Sequence, residues 1–199
     1  MRSSQVLAGA AARLNREAGR PPIPSLYFLT DPERTPDPVR ITQTLPRGAA
    51  VIYRHFGAGD RRAVARCLAA ACRARGLTLL IAADPALARA CGAVGVHWPE
   101  RLLPARPNAG FQLVTCAAHS PAGAARARAA GVDACLLSPV FRSRSPSAGA
   151  PLGLFRAGRI ARGAGLPIIA LGGVNPRNAQ RLAGRGFAGI AAIDGMLEN

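Results

Sequence analysis

Gly172 and Gly173 stand between an apolar run, Pro167–Leu171, and a segment, Pro176–Ala183, that bears Arg177 and Arg181. A glycine pair there lets backbone N–H groups approach an anion closely, and a helix start beyond it favours negative charge. Phosphate is the natural occupant. The three histidines supply the proton chemistry, because an imidazole titrates near neutral pH. His119 ends the apolar run Leu113–Ala117 in Ala118-His119-Ser120. It is a candidate acid/base, or else merely the residue before the helix cap Ser120. His97, inside Gly95-Val-His-Trp98, reads as a packed, hydrogen-bonded core residue. Arg54 ends the run Ala50–Tyr53 and can grip a carboxylate or phosphate with two parallel bonds; an ion pair with Asp31 or Asp84 is the alternative. His55 follows it and should point the opposite way.

These residues must be held by the elements around them. Eight short apolar runs recur along the chain: Ser25–Thr30, Ala50–Tyr53, Leu77–Ile81, Gly95–Trp98, Leu113–Ala117, Ala134–Leu137, Pro167–Leu171 and Gly189–Ile193. They do not alternate apolar with polar, as expected of parallel strands buried on both faces. Between them lie helical stretches at Val39–Leu45, Arg61–Arg75, Pro85–Cys91, Pro121–Ala130, Leu154–Ala164 and Pro176–Ala183. Asp60 and Ser120 are placed to cap two of these, and Gly76, Gly92 and Gly131 to stop three. The pattern predicts a single α/β domain, a (β/α)8 TIM barrel over residues 21–199 with short loops and a truncated last helix. Residues 1–20 form a leading helix packed on the barrel, capping its bottom. A doubly wound open sheet is the alternative, but eight evenly spaced units favour closure. In such a barrel the loops after strands seven and eight are a frequent phosphate site, which adds the backbone of Ile193 and Asp194 to that of Gly172 and Gly173.

At 199 residues and 49% hydrophobic, the chain can bury a full core. All 26 basic residues are arginine, which excludes lysine Schiff-base chemistry. The net charge of +16 raises the question of nucleic acid. The arginines are spread over several helices and aromatic residues are few, so no specific nucleic-acid partner is expected. The five cysteines form no Cys-x-x-Cys pair, which suits reduced thiols and a cytoplasmic location. No run reaches membrane-spanning length and residues 1–20 lack the apolar core of a signal peptide.

Read in order, the strand ends are Leu26–Asp31, Ile52–His55, Gly95–His97, Ala117–Ser120, Ser138–Phe141, Ala170–Val174 and Gly189–Ile193. This ordered series resembles the thiamine-phosphate synthase and TenI-type thiazole tautomerase family from about residue 24 to the C-terminus. The resemblance implies a phosphate-binding barrel of thiamine biosynthesis. It gives His119 the acid/base role of a tautomerase, which moves one proton on a thiazole carboxylate phosphate.

The departures concern the synthase, which joins a pyrimidine diphosphate to a thiazole phosphate and releases magnesium-bound diphosphate. Of its Gln-x-Arg-x-Lys motif only Arg54 survives. Its Asn-Asp falls on Ala82-Ala83, its Gly-Gln-x-Asp on Pro99-Glu-Arg-Leu102, and a further lysine near Pro146. Magnesium wants several hard oxygens, and a departing diphosphate needs its cations, so the departures argue against synthase chemistry, and no cofactor or resident metal is expected. At the end of strand eight the family places a small or hydroxyl residue, whereas Asp194 would repel phosphate unless it points away or pairs with an arginine. The loop Phe141–Arg144 is the expected source of that arginine. The ligand expected is a small phosphorylated heterocycle, with proton transfer by His119. A degenerate, non-catalytic binding barrel is the alternative, and homo-oligomerisation stays open.

Overall fold

The apolar runs become eight parallel strands that pair in chain order and close on themselves. The computed structural model describes residues 2–107, 110–145 and 149–197. Its strands are β1 Leu26–Leu29, β2 Ala50–Tyr53, β3 Thr78–Ala82, β4 Gly95–Trp98, β5 Leu113–Ala118, β6 Ala134–Leu137, β7 Ile168–Ala170 and β8 Gly189–Ala192. Closure comes from β1 against β8, with Tyr27 opposite Ala191. The helices are α1 Ser3–Glu17, α2 Pro38–Thr42, α3 Arg61–Arg75, α4 Pro85–Cys91, α5 Pro121–Ala129 and α6 Leu154–Gly163. This is the closed (β/α)8 barrel and not the open sheet.

Side chains alternate between two apolar clusters, as the period of a strand requires. Tyr27, Leu29, Ile52, Leu80, Leu136 and Ile169 fill the barrel interior. Phe28, Val51, Tyr53, Leu79, Ile81 and Leu137 face outward onto the helices. The same parity, continued past the strand ends, decides which residues reach the mouth. Arg54 follows Ile52 inward, while His55 follows Tyr53 outward and packs on its ring at a tilt of 40°, with the ring centres 5.0 Å apart.

Local structure departs from expectation in four places. Pro176–Ala183 is not a full helix; only a 3-10 turn, Ala179–Leu182, forms. The side chain of Asn175 accepts from the amides of Arg177 and Asn178 in the manner of an N-cap, and that of Asn178 accepts from the Asn175 amide, but the segment beyond forms only this one turn. A short 3-10 turn, Glu100–Leu102, follows β4. Asp60 sits at the N-cap of α3 without a side-chain bond, whereas Ser120 does cap α5 by accepting from the Gly123 amide. Finally, α1 does not close the barrel bottom. It lies on the flank against β1, β8 and the turn Asp194–Met196, burying Leu7, Ala11 and Leu14.

Candidate functional site

The C-terminal ends of the strands surround a cavity of about 1090 Å³. It is large enough for a phosphorylated heterocycle. Arg54, His119, Gly172, Gly173, Ile193 and Asp194 all line it. Each was a candidate on sequence grounds, and the barrel brings them to one face.

The loops after β7 and β8 converge because two glycines allow it. Gly172 and Gly173 have φ of +89° and +67°, and a Cβ on Gly173 would overlap the Arg142 carbonyl. Gly195 closes the other side: a Cβ there would overlap the Val174 carbonyl. The amides of Gly172, Gly173, Asp194 and Gly195 donate no hydrogen bond to another described residue. Unpaired N–H groups clustered at a strand end are the elements of an anion nest. Gly195 was not singled out from sequence; the only signal for it was the Asp-Gly step after the last apolar run.

Asp194 is neutralised, but not by the expected loop. Its carboxylate lies 3.3 Å from Nη1 of Arg34, a residue that sequence reasoning overlooked, and not against Arg142 or Arg144. The reason is topological: β1 neighbours β8 in the closed barrel, so the β1 loop lies beside the β8 loop. Arg34 also donates to Asp31 at 2.7 Å, and Asp31 lies 3.6 Å from Arg54. Four alternating charges thus run Arg54–Asp31–Arg34–Asp194 across the mouth. The Arg34 hydrogen bond, helped by the Arg34 amide, holds the Asp31 carboxyl at about 2 against a burial effect that works the other way. Arg54 is three-quarters buried and donates from Nε to the Thr30 carbonyl at 2.9 Å. Burial, then the neighbouring Arg34, lowers its pKa from the usual value. It is both an ion-pair partner and a cavity wall. Asp84 is not its partner, since that carboxylate caps α4 and faces Arg61 at 3.9 Å.

His97 forms the floor. It is 3% exposed, and its Nδ1 is 2.9 Å from Thr115 Oγ1. Burial and then the Arg54 charge push its pKa down to about 3, so the ring stays neutral at physiological pH. The expectation of a hydrogen-bonded core residue holds, with the addition that it also lines the cavity. His55 does not reach the cavity, and its Nε2 is buried without a partner.

His119 lines the same cavity from the end of β5, two strands from the glycine turn after β7, and is half exposed. Glu100 holds it twice: Oε2 accepts from the His119 amide at 2.8 Å and meets Nδ1 at 2.6 Å. The other oxygen of Glu100 takes a bond from Arg126 at 2.5 Å. This contact was not expected, because Glu100 and His119 belong to different loops that only the β4–β5 pairing sets side by side. Among the described residues no group of three or more His, Cys, Asp or Glu side chains is placed to hold a metal ion. Pro146, where the resemblance puts a synthase lysine, lies outside the described residues.

Comparison with known proteins gives a consistent result. A profile described as thiamine monophosphate synthase matches residues 26–196. A thiamine-phosphate synthase of Marinobacter nauticus is 32% identical over 87% of the chain and 82% of its own length. A thiamine biosynthesis bifunctional protein of Symbiobacterium thermophilum is 34% identical over 94% of the chain, which spans only 43% of that longer protein. In fold, the chain is similar to a thiamine phosphate pyrophosphorylase of Pyrococcus furiosus, with a TM-score of 0.74, 24% identity and 86% of each chain covered.

Proposed function

Since the chain belongs to the thiamine monophosphate synthase and TenI family, we propose that it binds a small phosphorylated heterocycle of thiamine biosynthesis, a thiazole phosphate or close analogue, and moves a proton on it. The observation that supports this reading is one cavity lined both by Gly172, Gly173, Asp194 and Gly195, whose amides donate to no other described residue, and by His119. The amides hold the phosphate, and the neutralised Asp194 no longer opposes it. Arg54 and the neutral His97 face the buried end of the ligand, Arg54 suited to a carboxylate. His119 takes a proton from the ring and returns it at a second position. The net change is an isomerisation, with no group transferred and no co-substrate consumed. The reduced thiols fit a cytoplasmic setting, as do all five cysteines being free, four of them buried.

The names of the relatives favour a second reading, synthesis of thiamine phosphate. That chemistry implies magnesium on a diphosphate, and the residues present do not fit it. Ala82 and Ala83 offer no side-chain oxygen, Asp84 is engaged as the α4 cap and faces Arg61, and Glu100 is engaged by His119 and Arg126. The chain also has no lysine to meet the diphosphate.

The test is His119→Ala assayed with a thiazole carboxylate phosphate. Loss of tautomerisation with affinity kept within about tenfold supports the reading, because the phosphate anchor is elsewhere. A variant that keeps full turnover removes His119 from the chemistry. Binding without turnover in the wild-type chain turns the protein into the non-catalytic alternative.

A further inference from the structure

We infer that Glu100 is a positioning residue that fixes the neutral His119 ring as its Nδ1–H tautomer, leaving the Nε2 lone pair to face the ligand. The inference rests on the reading of His119 as the proton carrier. Three observations lead to it.

The first is the hydrogen-bond inventory around Glu100. A carboxylate can only accept, and Glu100 Oε2 is 2.6 Å from His119 Nδ1. The proton between them therefore belongs to Nδ1. The tautomer of an imidazole is set by the bond its other nitrogen makes, so Nε2 is left unprotonated when the ring is neutral. That is the form in which it takes a proton. The same Oε2 accepts from the His119 amide at 2.8 Å, which fixes the carboxylate to the backbone of the residue it orients.

The second is that Glu100 is itself held. Arg126, one turn into α5, bonds Oε1, so the carboxylate has a donor on each oxygen. The side chain of Glu100 is 16% exposed although its partners are 55% and 60% exposed.

The third is a space reserved for the carboxylate. Gly123 lies in the first turn of α5, where alanine is the better helix former. A Cβ on Gly123 would lie 2.5 Å from Glu100 Oε1 and 2.9 Å from its carboxyl carbon. The helix thus carries glycine at a place where a side chain would displace the Glu100 carboxylate.

The arrangement repeats the logic of a base oriented by an acid behind it. It also explains how this loop is used in a chain whose residues there do not fit a metal. His119 and Arg126 are more than half exposed and meet water when Glu100 is removed, so its main effect is on the state of the ring.

The experiment is a ¹⁵N–¹H spectrum of the imidazole rings at a pH where they are neutral. It is recorded for the wild-type chain, Glu100→Ala and Gly123→Ala, with His119→Ala to assign the signal. The expected result is the Nδ1–H pattern for His119 in the wild type and its replacement by the Nε2–H or an averaged pattern in both variants. Turnover of a thiazole carboxylate phosphate should fall about tenfold or more in kcat with KM little changed. A wild-type His119 in the Nε2–H form overturns the inference whether or not the variants fold, as does an unchanged pattern in a folded Glu100→Ala chain. If the tautomer behaves as expected but His119→Ala retains turnover, the acid/base role fails while the positioning by Glu100 stands.

Discussion

Removing the Arg34 side chain should weaken the protein in a pH-dependent way and weaken phosphate binding at the same time. Arg34 bridges Asp31 at 2.7 Å and Asp194 at 3.3 Å, and all three side chains are at most about a third exposed. The Asp31 carboxyl is lowered from 3.8 to about 2, with the Arg34 side-chain bond as the largest cause. At ~1.4 kcal/mol per pKa unit the whole shift corresponds to about 2.5 kcal/mol. The Arg34 amide and Arg54 also contribute and survive the substitution, so Arg34→Ala should cost about 1–2 kcal/mol at neutral pH. The sign follows from the direction of the shift. A depressed carboxyl contributes stability above its unfolded value, and that contribution is lost as pH falls through the folded one. The gap between wild type and variant, measured by urea unfolding, should therefore be full at pH 6–7 and close between roughly pH 4 and 2. Freed of its partner, Asp194 would also oppose a bound phosphate, and affinity for a thiazole phosphate should fall about tenfold. Equal stability of the two chains at neutral pH, or a gap that persists unchanged at pH 2, would refute the reasoning.

Gly173→Ala should lose about 2 kcal/mol or more in the same unfolding assay, since the left-handed backbone costs ~1–2 kcal/mol for an alanine and its Cβ overlaps the Arg142 carbonyl; phosphate affinity should drop with it. The purified protein should not make thiamine phosphate from the pyrimidine diphosphate and thiazole phosphate with magnesium, and turnover at a rate typical of enzymes, about 1 s⁻¹ or faster, would contradict this. Binding to nucleic acid should be weak and sequence-independent. Tight binding that persists at about 0.2 M salt would mean the arginines act together after all.

The barrel was legible because parallel strands buried on both faces leave unbroken apolar runs, and the bounds of β2, β4, β6, α3 and α4 match the runs that announce them. The failed helix at Pro176–Ala183 shows the limit of periodicity. An arginine-bearing helix was expected there, but the chain forms only the 3-10 turn Ala179–Leu182 after the Asn175 cap. The glycine turn at the cavity mouth was legible because a Gly-Gly pair after an apolar run marks a tight, left-handed turn. The partners of the charged residues were not. Arg34 meets Asp194 across 160 residues of chain, and Glu100 meets His119 across 19; both contacts depend on which strands become neighbours and on rotamers that no spacing encodes. His97 was placed correctly as a buried, bonded residue, but parity along β4 was needed to see that the same residue floors the cavity.

The most direct test of the central claim is a crystal structure of the protein with a thiazole phosphate. The phosphate should lie within hydrogen-bond distance of the Gly173, Asp194 and Gly195 amides, with the ring directed at His119 Nε2. A phosphate held instead on the rim by Arg101, Arg126 or Arg142, with the glycine turn unliganded and His119 out of reach of the ring, would contradict it.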